Sequence, residues 1–103
     1  MRLFAFRCLD APGSAPLRER ALAAHLAHVE AHIDDYAVAG PLKDGERTVG
    51  SLLVIKAHNP AEARARLEAD PYFAAGVWDS ITCDEFRAVA GEWVGGAAWK
   101  VGA

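Results

Sequence analysis

Hydrophobic and polar positions alternate from the first residues: Phe4, Phe6 and Cys8 fall on one side, and Leu3, Ala5 and Arg7 on the other. This period of two predicts a strand over residues 2–8. A loop over residues 10–16 carries Pro12, Gly13 and Pro16, with Ser14 placed to cap a helix. The period then lengthens, because Leu22, Leu26, Val29 and Ile33 stand at i, i+4, i+7 and i+11 and predict a helix with one core stripe. Tyr36 to Ala39 is a short β-prone run that stops at Gly40-Pro41. The polar turn Lys43-Asp44-Gly45-Glu46 leads into the longer run Val49 to Ala57, so the two runs predict a hairpin.

Asn59-Pro60-Ala61-Glu62 joins a capping side chain, a proline at the first helical position and a glutamate three residues after the cap. The helix it starts runs to about Asp70, where Pro71 disfavours helical backbone at the residue before it. Asp70-Pro71-Tyr72-Phe73 opens a short second turn ending near Gly76, and Val77 to Phe86 predicts a last strand. Gly91 to Ala103 is rich in Gly and Ala yet holds Trp93 and Trp99, a mixture too irregular for an element. Residues 1–90 therefore read as one domain and 91–103 as a tail.

The order β-α-β-β-α-β places the chain in the α+β class, with the ferredoxin-like split βαβ arrangement: a four-stranded antiparallel sheet and two helices on one face. The third strand puts Leu52 and Val54 on one side and Leu53 and Ile55 on the other, so both faces of the sheet are apolar. Helices cover only one of them. A second copy over the open face is the expected remedy, which predicts a homodimer joined through the sheet.

At 103 residues, 52% hydrophobic and 24% charged, the chain suits a single folded core. A net charge of −3 gives no broad positive field, so nucleic acid is not an expected partner. No stretch approaches the roughly 20 apolar residues of a membrane helix, and the opening MRLFAFRCLD lacks a signal-peptide core, so the expected location is the cytoplasm. Cys8 and Cys83 lie too far apart in sequence for a redox pair or metal knuckle, and both read as small buried hydrophobes.

Four short segments stand in order: Ala24-His25-Leu26-Ala27, Ala39-Gly40-Pro41-Leu42, Gly50-Ser51, and Ala69-Asp70-Pro71-Tyr72 followed by Ala75-Gly76-Val77. Together they make residues 2–88 resemble the YCII-related domain family. The resemblance implies a dimeric α+β barrel and a site built around one histidine and one aspartate, here His25 and Asp70. It also implies cofactor-free chemistry, of a dehalogenating or lyase type, on small ring-derived compounds. His28, His32 and the Trp-bearing tail stand outside that pattern.

Helical geometry sets His25 about 60° from the Leu22 direction, with His32 at about 80° and His28 at about 120° on the same flank. His25 is thus nearest the core edge, where an imidazole beside a carboxylate can act as general acid or base. Asp70 is equally suited to capping the turn after it, and His25 to a structural place. Three histidines on one flank raise the idea of a metal, but no further ligands accompany them, so neither metal nor cofactor is expected. Ser51 and Tyr72 are expected to line the pocket, and Arg7 to hold a substrate carboxylate. The expected function is a lyase, isomerase or dehalogenase using His25 and Asp70 on a small organic substrate. The alternative is a dimeric module that binds a small ligand without turnover.

Overall fold

In the computed structural model, which describes residues 1–100, the chain runs through β1 (Arg2–Asp10), α1 (Ala15–Ala31), β2 (Tyr36–Asp44), β3 (Arg47–Ala57), α2 (Pro60–Glu68), α3 (Pro71–Ala74) and β4 (Trp78–Phe86). The strands form one antiparallel sheet in the order β2-β3-β1-β4. Phe4, Phe6 and Cys8 of β1 lie opposite Ile55, Leu53 and Ser51 of β3, and all six are buried on the face that the helices cover. Ala63 and Leu67 of α2, Tyr72 of α3, Val77 and Trp78 complete that core.

β2 runs through Gly40-Pro41 rather than stopping at Ala39. As the sheet's edge strand it tolerates a residue without an N–H. On the facing strand of the hairpin, opposite Leu42, Gly50 is obligatory for steric reasons: a Cβ there would run into the carbonyl group of Cys8 on the neighbouring strand.

Helix α1 differs most from its expected packing. It ends at Ala31, Ile33 falls in a 3-10 turn beyond it, and Leu22, Leu26 and Ile33 are exposed. Leu17 and Ala21 pack on the core instead, so the helix is rotated and its leucine stripe faces sideways. Ser14 occupies the cap position but makes no capping bond; its hydroxyl shares its one proton between the carbonyls of Ala11 (2.6 Å) and Val77 (2.7 Å), tying the loop to the start of β4. At α2 the cap is as expected, with Asn59 Oδ1 accepting the Glu62 N–H at 2.8 Å. The helix closes at Glu68, and Asp70 caps the separate turn α3.

On the sheet's other face, Val38, Leu52 and Phe86 are exposed. Cys8 is buried as expected, whereas Cys83 is exposed, because β4 is a sheet edge that the helices do not reach along its length. The tail forms a small hairpin of β5 (Ala90–Gly91) and β6 (Gly96–Ala97), flanked by 3-10 turns; residues 101–103 of the predicted tail lie outside the described residues. Among the described residues no helix is long and apolar enough to cross a membrane.

Candidate active site

Between α1 and the β2 edge opens a pocket of about 560 Å³. One wall is the sideways stripe Leu22, Leu26 and Val29, and Ala39, Pro41 and Leu53 face it from the sheet. Polar groups converge at one end: Arg18, His25, Ser51 and Tyr72.

His25 and Asp70 come from helices 45 positions apart, and His25 Nδ1 lies 2.8 Å from Asp70 Oδ1. The carboxylate is fully buried and the imidazole side chain 16% exposed. Asp70 Oδ1 also accepts the Tyr72 N–H at 2.9 Å, so the bond that caps α3 fixes the carboxylate facing the imidazole. Capping and imidazole contact, the two roles open to Asp70, are therefore combined in one oxygen. Tyr72 holds the imidazole from the flat side, with ring centroids 3.8 Å apart and planes within 5° of parallel. Trp78 supports Tyr72 in turn in a T-shaped contact, with ring centroids 5.9 Å apart and planes at 90°. With Nδ1 engaged, Nε2 is the nitrogen available to a ligand.

Ser51 Oγ receives two donors, Arg18 Nη2 at 3.0 Å and Trp78 Nε1 at 3.3 Å. Both lone pairs are then occupied, and the hydroxyl has a proton left to give. Arg18 is clamped by Asp10 through paired bonds of 2.7 and 2.8 Å, and it donates to the Gly50 carbonyl at 3.0 Å. Its guanidinium stands 5.1 Å from the centre of the Tyr72 ring. The hydrogen bonds to Asp10 hold the Arg18 pKa above its ordinary value, against the opposing effect of burial.

Arg7 is not part of this arrangement. It lies between Phe6 and Cys8 on a strand whose alternate side chains are buried, so it projects from the opposite, open face and is exposed. Arg18 is the arginine in the pocket, and the sequence held a signal for it. It precedes His25 by seven residues, a spacing that returns to the same helical face within about 20°. Asp10 and Trp78, by contrast, carry no sequence motif that marks them as part of the site.

His28 and His32 sit behind the site, with ring centroids 4.6 Å apart, beside a cavity of about 200 Å³ that Asp35, Tyr36 and Arg66 also line. Burial pushes the Tyr36 phenol up to about 12, aided by the charges of Asp70 and Asp35. Among the described residues no three His, Cys, Asp or Glu side chains gather so as to hold a metal ion.

The model of the YCII-related domain matches residues 2–87. The chain belongs to the YCII-related domain family. A similar solved structure is the 5-chloro-2-hydroxyhydroquinone dehydrochlorinase TftG from Burkholderia phenoliruptrix, in complex with 2,5-dihydroxybenzoquinone. It is 30% identical over 87% of this chain and 96% of its own, with a TM-score of 0.72. Protein Atu4242 from Agrobacterium tumefaciens shares the fold at 15% identity, covering 86% of this chain and 94% of its own, with a TM-score of 0.50. No curated protein matches the chain. This YCII-related chain thus combines a family fold with a pocket in which histidine, aspartate, serine and arginine converge.

Proposed function

We propose that this protein is an enzyme that transforms a small oxygenated ring compound by proton transfer, in a lyase, isomerase or dehalogenase step. The observation that carries the reading is the His25–Asp70 pair at 2.8 Å, beside a pocket large enough for a single-ring molecule. Asp70 orients the imidazole and stabilises its protonated form, and His25 Nε2 takes a proton from a ring hydroxyl or an adjacent carbon. The electron pair released forms a C=O or C=C bond, and a leaving group departs with its own pair. The Ser51 hydroxyl donates to a ring oxygen, and the Arg18 guanidinium offsets the negative charge that grows there. These steps use only groups of the protein, so the reading is cofactor-free. The likeness to a dehydrochlorinase supports this class of substrate.

The working unit in this reading is a pair of copies joined through the open sheet face. The exposed Val38, Leu52 and Phe86 there support it.

Wild-type protein and the His25→Ala variant, assayed against hydroxylated and halogenated hydroquinones, other hydroxylated aromatics and lactones, test the proposal. Turnover by wild type that falls about 100-fold or more in the variant is expected for loss of a general base. Turnover that survives the substitution sinks the role of His25. Saturable binding of these compounds without conversion would make the chain a ligand-binding module.

A further inference from the structure

Past β4 the described residues continue into an arm with no backbone hydrogen bond to the helices or the four-stranded sheet. It is ordered by its own bonds: β5 pairs with β6, and the Ala98 N–H donates to the Val89 carbonyl at 2.8 Å. Its apolar groups nonetheless face water, with Trp93 86% exposed, Trp99 70% and Val94 47%. Trp78, the third tryptophan, is in the core. The radius of gyration is 14.7 Å and the long axis 51 Å, against about 13 Å for the radius of a compact domain of this length. An arm of fixed backbone that presents two tryptophans to solvent is shaped to be buried by another molecule, since tryptophan is enriched at the energetic centres of interfaces.

Topology identifies that molecule. The arm leaves β4 just after Phe86, which belongs to the open face of the sheet. β4 is one rim of the sheet and β2 the other. Two sheets stacked open face to open face about a two-fold axis along the strands set each β4 rim over the other's β2 rim, about 10 Å away. An arm leaving β4 then rounds that rim and meets α1 of the other copy and the turn after it, where Leu22, Leu26 and Ile33 are exposed. Within its own copy the arm lies across the sheet from the pocket, separated by β1 and β3, and none of its described residues lines the pocket. We infer that Trp93 and Trp99 dock on a second copy of this chain, against the exposed stripe of its α1, so that each arm walls the pocket of the other. The inference rests on the face-to-face pairing in the proposed function and assigns the tail a place in it.

The test uses the full chain, monitored by sedimentation and tryptophan fluorescence with iodide as quencher. In the wild-type dimer, emission is blue-shifted and quenching is weak. Dilution to monomer restores both toward values for exposed indoles. The Trp93→Ala/Trp99→Ala double variant, with unchanged circular dichroism, dimerises at least about 10-fold more weakly. Mixed Val94→Cys and Leu26→Cys chains, each in a Cys83→Ser background, are joined by a short bismaleimide. A wild-type dimer whose Trp93 and Trp99 emission stays as quenchable as in the monomer, or a double variant that associates as tightly as wild type, overturns the arm's role and leaves the face pairing intact. Failure of the mixed cysteine chains to join overturns the docking place, and a monomer at every concentration overturns both. None of these readouts depends on turnover.

Discussion

His25 and Asp70 meet through a single oxygen: Asp70 Oδ1 stands 2.8 Å from the imidazole and accepts the Tyr72 N–H at 2.9 Å. Asparagine caps a helix turn about as well as aspartate but carries no charge. Asp70→Asn is therefore expected to keep the α3 turn while lowering turnover by about 10²- to 10⁴-fold. Asp70→Ala should lose the same activity and about 0.5–2 kcal/mol of stability besides. Urea denaturation of both variants beside their rates separates the two roles. An Asn variant with wild-type rates would remove the carboxylate from the chemistry.

Arg18 joins the end of β1, the hairpin strand β3 and the pocket in one guanidinium. Arg18→Ala leaves Asp10, whose side chain is 11% exposed, without its partner, and a loss of about 1–3 kcal/mol is expected. Arg18→Lys should recover part of the stability but not the paired geometry, and so bind hydroxylated ring ligands more weakly than wild type. Isothermal titration of the lysine variant checks this. Undiminished affinity would mean that the guanidinium held by Asp10 does not reach the ligand.

The two cysteines should react differently. Burial pushes the Cys8 thiol up to about 12, far from the thiolate that reacts, while Cys83 is exposed and its thiol, although also raised by partial burial, is reachable. Native protein treated with a chromogenic disulfide is expected to release one equivalent slowly at pH 8, and two after denaturation. Two rapid equivalents in the native state would contradict the burial of Cys8.

Burial lowers the pKa of His28, with the Asp70 charge opposing the effect. The folded value therefore lies below the unfolded one of about 6.5, and the fold favours the neutral ring. The contribution is complete above the unfolded value and is lost as pH falls through the depressed folded value. His28→Gln should flatten the fall in stability between about pH 7 and 5 relative to wild type, measured by denaturant midpoints. A steeper fall in the variant would show the opposite sign.

The strands and the α2 start are legible in the sequence because their signals are local: alternation at Phe4, Phe6 and Cys8, and the cap at Asn59 whose bond to the Glu62 N–H is present. The meeting of His25 with Asp70 is reached through family motifs rather than any spacing, since no local rule joins positions 45 apart. The orientation of α1 is not legible. Its leucines form the strongest apolar stripe, yet the core takes the small Ala21 side and leaves Leu22 and Leu26 to wall a cavity. Periodicity counts apolar side chains and cannot tell a core from a binding pocket. Arg7 suggests itself by its place at a strand end, although the burial of its neighbours Phe6 and Cys8 turns it outward. Trp93 and Trp99 are unreadable as an element because their hairpin is short and rests on glycines rather than on a repeating pattern.

Pro41 lies on the rim strand that borders the pocket, where the backbone has no amide hydrogen to offer. A stray extended peptide seeking to widen the sheet from that side finds its hydrogen-bond ladder interrupted, so the protein is guarded there against edge-to-edge growth into fibres. The same interruption keeps the cavity entrance free of adventitious strands, and passage into it stays open to small molecules.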